Sequence, residues 1–335
     1  MCKASFVMSV YNDARYIVEA IQSILNQTHP DIELLIFDDA STDNCLNIIK
    51  SLSDPRIKYY HSDENKGKSH GINFMVNNFA QGVYILLMDS DDICDKQRAE
   101  EQIEFLQSNP GCVAVGSNID VMWEDEEIKP LAEQKKAWFD QAPDEVDGLL
   151  LQGMTVPGPT ITLRKTDFLK VGGLSVDYKA ALDYEFVLRL TECGSVFKLP
   201  KELYRYRIHR KQMSLDKKQF QFESALRAKV EYLKRNKHLF GDRDVYIWGL
   251  GSVGRTVVGL AKEIGLEISA IIDSSASLQG EMFLDTNIVS PREVLTDGKK
   301  SGKLVLLTTT VGRAEVSDKL EDSGYVRYKD FFCLV

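Results

Sequence analysis

The sequence lacks the marks of secreted, metal-stapled and membrane-spanning chains. Its six cysteines (Cys2, Cys45, Cys94, Cys112, Cys193 and Cys333) are scattered over 335 residues without a CxxC or any paired spacing. That pattern argues against a disulfide framework and a structural zinc site, and predicts reduced thiols packed as small hydrophobes. No window approaches the ~20 apolar residues that cross a bilayer. An excess of positive charge is also missing. The net charge of -9 argues against nonspecific binding of nucleic acid. The opening residues "MCKASFVMSVYN" run straight into a strand pattern, with no apolar signal region or small-residue cleavage site. A cytoplasmic protein is expected.

What is present is an ordinary soluble composition, 44% hydrophobic and 27% charged, in a chain long enough for about two domains. Strand and helix signals alternate through the first ninety residues. The apolar run "ASFVMSV" is followed by a helical pattern at Ile17, Ala20, Ile21, Ile24 and Leu25. Then come strand "IELLIF", helix "STDNCLNIIKSL", strand "IKYYH", helix "SHGINFMVNNFAQ" and strand "VYILLM". This order predicts a mostly parallel sheet covered by helices on both faces. Ligands of such sheets bind beyond the carboxyl ends of the strands. Two of those ends carry paired acids, Asp38 and Asp39 in "FDDAS" and Asp89, Asp91 and Asp92 in "MDSDD".

Crowded carboxylates at a strand end repel one another unless something compensates. Asp89 and Asp91 lie two apart, so in extended backbone they project to one side. One can face a ribose hydroxyl or a metal-bound water while the other ligates a hard cation through oxygen. Asp91, Asp92 or Asp95 can instead cap the helix that begins near Lys96. Further on, helix "KQRAEEQIEFLQSN" leads to strand "GCVAVGSNIDVMW", and the pattern is weak from there to about Gly148. A strand and helical turn in "PTITLRKTDFLKVGGL", the amphipathic helix "LDYEFVLRLTECG" and strand "SVFKLPKELYRYRIH" complete a first domain, 1–214. A polar helical segment over 215–241 reads as a linker.

The pattern restarts at Asp244 as a small α/β domain, 242–335. "DVYIWGLGSVGRTVVGLAKEIG" is a strand, a GxGxxG turn (Gly249, Gly251 and Gly254) and a helix, and Asp273 ends the next strand. That context suits a dinucleotide fingerprint, although no second mononucleotide half and no hydride-transfer residues accompany it. Close packing of a helix on a sheet requires the same glycines, so a nucleotide site and a structural or assembly role both remain open.

The run "SVYNDARYIVEAIQSILNQTHPDIELLIFDDASTDN" resembles the opening of family-2 glycosyltransferases, which have the GT-A fold. The likeness continues through "NKGKSHGIN", "MDSDD", "VGGL", "LDYEFVLRL" and "YRYRIHRKQMS", six motifs in the family's order over residues 4 to about 214. The resemblance implies a doubly wound mixed sheet for the first domain, and the small C-terminal domain separately resembles Rossmann-like modules appended to carbohydrate-processing enzymes. The first resemblance further implies an inverting transfer from a nucleotide-sugar donor, UDP-linked, to a hydroxyl of a glycan or lipid-linked glycan. Carried over by position, Val10, Tyr11, Asn12, Asn65 and Gly67 would border the base, and Asp39 the uracil or ribose. Asp89 and Ser90 would sit at the donor, and Asp91 would hold Mn2+ or Mg2+. Asp183 would be the general base; a helix cap is the alternative. Arg207, His209 and Ser214 match the closing "YR.H....S" pattern and would grip the diphosphate or, for His209, add a metal ligand. Gly172 and Gly173 would lie on the diphosphate and acceptor side.

Two departures stand out. Ile72 occupies a place where the family often has arginine, leaving Lys68 or His70 to supply the charge. Leu182 precedes Asp183 where an acid is common. Surface polysaccharide synthesis is the setting the family implies, with the basic stretch Arg205 to Lys218 approaching the inner face of a membrane and a homo-oligomer allowed. Two rivals predict different behaviour: a nucleotide-sugar-binding scaffold without transfer, and an NAD(P)-type oxidoreductase centred on Gly249 to Gly254.

Overall fold

The computed structural model describes residues 3–142, 148–210, 212, 218–241, 243–295 and 302–335. The chain divides into two compact units, Met1–Val146 with Thr155–Lys218, and Asp147–Met154 with Gln219–Val335. Among the described residues no helix is long and apolar enough to cross a membrane.

In the first unit, β1 (Ala4–Val10) and β2 (Ile32–Asp39) are buried almost throughout because helices cover both faces of the sheet. Helix α1 (Ile17–Leu25) buries Ile17, Ala20, Ile21 and Ile24, the stripe expected of a 3.6-residue period. After α2 (Cys45–Ser51), β3 (Ile57–Ser62), α3 (Lys68–Asn78) and β4 (Tyr84–Asp89), the sheet reads β3-β2-β1-β4 in parallel. Its register aligns Val10 with Asp38 and Ser9 with Asp89, which puts both acidic strand ends on one rim.

The rest of this sheet brings distant sequence to that rim. Beyond β4 lie β7 (Thr162–Arg164), β6 (Cys112–Trp123) and β8 (Ser195–Ile208), with short β5 (Ile93–Cys94) on the far edge. β7 runs antiparallel to β4 and β6, and β8 runs parallel to β6. Immediately after the acidic turn, β5 pairs antiparallel with β8, Ile93 opposite Arg205 and Cys94 opposite Tyr204. That pairing folds the turn against the end of β8. Helices α4 (Arg98–Ser108), α5 (Lys129–Gln141), α6 (Lys165–Lys170) and α7 (Leu182–Thr191) complete the unit. α5 lies where the sequence pattern was weak, and only Ala132 and Phe139 are buried along it.

The second unit holds α8 (Lys218–Arg235), β9 (Asp244–Trp248), α9 (Ser252–Ile264), β10 (Ala270–Ile272), β11 (Met282–Phe283), β12 (Thr286–Val289), α10 (Pro291–Leu295), β13 (Lys303–Leu307), α11 (Arg313–Asp322) and β14 (Phe331–Cys333). Its sheet is ordered β11-β12-β10-β9-β13-β14, parallel except for β11. The segment read as a linker is built into this core. Leu226, Val230 and Leu233 of α8 pack with Val245, Ile247, Leu304 and Leu306. A narrow i, i+4, i+7 stripe suffices to dock a helix whose overall composition is polar. The boundary expected at 214–215 falls among residues outside the described set.

Candidate active site

On the β2 side, the expected base-binding residues are largely engaged with their own backbone. Asp38 is fully buried, with Oδ2 2.8 Å from His61 Nδ1 and Oδ1 accepting the Ser41 N–H at 3.2 Å. The two oxygens of Asp39 accept the Lys66 and Gly67 N–H groups at 2.7 and 2.8 Å. Asn65, exposed, donates from Nδ2 to the Asp39 carbonyl at 3.2 Å. Asp39 thereby shapes the loop that opens α3, where Gly67 has φ +88° and open space at its Cβ position. Val10 is buried, so only its backbone borders the rim, whereas Tyr11 is half exposed. Asn12 sits at φ +61°, and its Oδ1 accepts from the Thr42 and Asp43 amides at 2.7 and 3.2 Å.

The β4 end is an acid cluster. Asp89, Asp91 and Asp92 each present an oxygen within 4.8 Å of the others. Asp92 is buried; Oδ1 accepts the Arg207 N–H at 2.7 Å, while among the described residues Oδ2 has no hydrogen-bond partner. Burial first, then the charges of Asp91 and Asp89, push its carboxyl well above the ordinary carboxylate range. Asp89 is also raised by burial, an effect that its ion pair with Lys68 opposes. The lysine in turn is pulled down by burial but raised overall by Asp89, Asp183 and Asp91. The Tyr204 hydroxyl accepts the Asp89 N–H at 3.2 Å.

Asp13, which the sequence did not single out, belongs to this neighbourhood. Its carboxylate accepts the hydroxyl of Ser90, which is buried. Burial raises Asp13 to about 6 against the lowering effect of that hydrogen bond, with Asp91 adding to the rise.

The closing motif meets the acids through β8. His209, buried, places Nε2 2.9 Å from Asp91 Oδ2 and packs its ring 5.1 Å from that of Tyr16. Arg207 donates from Nε to the Asp91 carbonyl at 2.7 Å and from Nη2 to Glu19 at 2.6 Å, its guanidinium 4.8 Å over the Tyr16 ring. This arginine fastens β8 to the acidic turn. Ser214 lies outside the described residues.

Asp183 enters from α7. The N-cap position belongs to Ala181 at φ +51°, so Asp183 is not the cap. Its Oδ1 accepts the Tyr184 N–H at 2.9 Å, and a Cβ at Gly158 would stand 2.5 Å from its Oδ2. The charges of Lys68 and Asp89 both interact with Asp183. Gly172 and Gly173, at φ +85° and +69°, form the turn that leads into this segment. Asn73 clamps that turn, donating to the Leu174 carbonyl at 2.7 Å and accepting its N–H at 2.9 Å. Of the two α3 cations that could stand in at Ile72, Lys68 is the one at the acids. His70 packs against Phe37 and Phe74, and Ile72 is buried in the core.

In the second unit, the glycine-rich turn is closed on itself. Gly249 has φ +105°, and a Cβ on Gly254 would collide with the Gly249 carbonyl oxygen. Asp273 accepts the Leu250 and Ser275 N–H groups at 2.8 and 2.9 Å. Gly251 alone faces open space.

The acid cluster fits a hard divalent cation: its donors are carboxylate oxygens, an imidazole lies at one of them, and one buried carboxylate oxygen has no partner among the described residues. A mixed sheet with acids on its carboxyl rim, joined by an acid from a later helix, defines the GT-A class of sugar-transferring enzymes. Residues 5–170 match the model of Glycosyl transferase family 2, and the first unit belongs to that family.

Among its relatives is an uncharacterized glycosyltransferase of Haemophilus influenzae, 29% identical over 234 residues, 68% of this chain and 72% of that protein. Two other curated relatives are matched over 18% of their length. The fold is shared with Staphylococcus aureus TarS 1-349 in complex with UDP-GlcNAc (TM-score 0.57, 15% identity, 96% of this chain and 80% of that one). It is also shared with the mannosyltransferase PcManGT of Pyrobaculum calidifontis in complex with GDP-Man and Mn2+ (TM-score 0.53, 15% identity, 78% and 70%).

Proposed function

We propose that the first unit moves a sugar, with inversion, from a UDP-linked donor to a hydroxyl of a glycan or lipid-linked glycan in surface polysaccharide synthesis, on the cytoplasmic side. The observation that carries this reading is the convergence of Asp89, Asp91 and Asp92 at the β4 rim, within reach of the charge of Asp183. Structural likeness to complexes with UDP-GlcNAc and with GDP-Man and Mn2+ supports a nucleotide-sugar donor without choosing its base.

In this reading Asp91, steadied by His209, and the neighbouring Asp92 hold Mn2+ or Mg2+, and Asp89 faces the ribose. A cation held there would supply positive charge beside the donor's diphosphate, so the leaving group would need no acid. Asp183 accepts the proton of the acceptor hydroxyl on the opposite face. Asp39, Asn65 and Gly67 frame the base through the loop they order. Arg207, Gly172 and Gly173 position the elements that carry Asp91 and Asp183. We assign Gly249, Gly251, Gly254 and Asp273 to packing of α9 on its sheet, because the acid is spent on its own turn. Within the basic stretch after Arg205, Arg207 pairs with Glu19 and Arg210 with Asp125 and Glu127.

A thermal-shift panel of UDP-, GDP-, CDP- and dTDP-sugars with and without Mn2+ tests the donor, because stabilisation follows ligand concentration over affinity. Asp183→Asn should keep that shift and lose transfer. Normal transfer by this variant removes the base assignment, and donor binding without turnover by the wild type favours a scaffold.

A further inference from the structure

Helix α5 brings a third cation to the acids. The half-buried ammonium of Lys135 rests 4.0 Å from the centre of the Tyr206 ring, and the carboxylates its charge reaches are Asp183, then Asp92, Asp89 and Asp91. Among the described residues it is in ion-pair contact with none of them. The other two cations are committed: Lys68 to Asp89, and Arg207 to Glu19 and the Asp91 carbonyl. Burial pulls the Lys135 ammonium down while the four carboxylates oppose that pull, and the aromatic face holds it short of a direct carboxylate contact. Four acids in reach and none in contact leave this cation available to an anion entering over the cluster.

We propose that Lys135 receives a phosphoryl oxygen of a ligand held above Asp183 and the acid cluster, an inference that rests on the donor reading above. A lysine suits this task. Its compact ammonium offers three donors to an oxygen whose orientation no planar fork dictates. The phosphoryl group comes either from the diphosphate of the donor or from a phosphate carried by the acceptor, and the two sources separate by experiment.

Calorimetric titrations of UDP and uridine in the presence of Mn2+ compare wild type, Lys135→Met and Lys135→Arg, with matched melting temperatures certifying the fold. If the diphosphate is the anion, Lys135→Met weakens UDP about tenfold or more, leaves uridine unchanged, and Lys135→Arg restores most of the loss. If the acceptor supplies the phosphate, UDP is unaffected. Glycerol 3-phosphate binding to the UDP- and Mn2+-saturated protein is then lost in Lys135→Met and returns in Lys135→Arg. A folded Lys135→Met in which neither UDP nor glycerol 3-phosphate binding changes overturns the inference. So does one in which only Mn2+ binding tightens, because Lys135 then merely balances the acids. A wild type that binds no UDP with Mn2+ overturns the donor reading itself. UDP binding that is present but independent of Lys135, with no phosphate arm, overturns this inference alone.

Discussion

His209 Nε2 lies 2.9 Å from Asp91 Oδ2, although 118 residues separate them. The contact exists because β5 returns directly from the acidic turn to pair with β8, whose end carries the histidine. In the proposed reading, as a ligand or by holding the carboxylate, His209 would tie metal affinity to the position of β8. His209→Ala should weaken Mn2+ binding by about 10–100-fold, the range seen when an outer partner of a ligand is removed. Titration of Mn2+ into the UDP complex measures it; unchanged Mn2+ affinity removes histidine from the site.

Gly158 leaves room for Asp183. Because an added Cβ would stand 2.5 Å from Asp183 Oδ2, Gly158→Ala must displace that carboxylate. Transfer should fall by about 100-fold, the scale of a 1 Å misplacement, while Mn2+-dependent UDP binding is retained. Single-turnover rates beside binding isotherms separate the two effects. Equal loss of both would show that the glycine supports the donor pocket instead.

Buried Lys229 in the second unit predicts a pH dependence of stability. Its Nζ donates to the carbonyls of Leu334 at 2.6 Å and Gln152 at 3.2 Å, and burial pulls the ammonium down to about 7. Unfolded lysine titrates near ~10.4, so between about pH 7 and 10 the unfolded chain binds more protons. Stability therefore rises with pH through that window, by up to about 1.4 kcal/mol per unit, and is flat below it. Melting followed by Trp248 fluorescence, with Trp123 and Trp138 of the first unit replaced by phenylalanine, should shift upward from pH 7 to 9, and Lys229→Met should abolish the slope.

The glycine-rich turn makes a contrast within one motif. Gly254→Ala should destabilise the second unit by roughly 3 kcal/mol, because the new methyl meets a backbone carbonyl that cannot rotate away. Gly251→Ala, with φ -69° and open space, should cost under about 1 kcal/mol. Denaturant midpoints decide. Equal tolerance at both positions would show that close helix packing is not what these glycines serve.

The order of elements in the first unit was legible because period and punctuation are local properties. Apolar runs of strand length, stripes of helical period and acids at two strand ends read directly from neighbouring residues. So did the motifs of the family, which recur in order from Ser9 to His209. The second sheet was legible only at β9, β10 and β13. β12 and β14 are short, at four and three residues, and lack the longer apolar run and closing acid that marked the equally short β10 in "LEISAIID". The helix α8 was read as a connector because most of its surface is polar, and only three-dimensional packing shows which stripe is buried.

The sequence by itself determined which chemistry stands at the rim: carboxylates at the ends of β2 and β4, one more at the start of α7, and a histidine at the end of β8. Tertiary structure alone decided how each is used. Asp39 and Asn12 spend their oxygens on backbone amides, and Arg207 turns to Glu19. Asp92, for which a helix cap was one alternative, is buried with one oxygen unanswered among the described residues, and the charges of Asp13 and Lys135 act on the cluster unannounced. The physical reason is that burial and partner charges are sums over neighbours in space. For these residues, the neighbours lie tens to more than a hundred positions away along the chain.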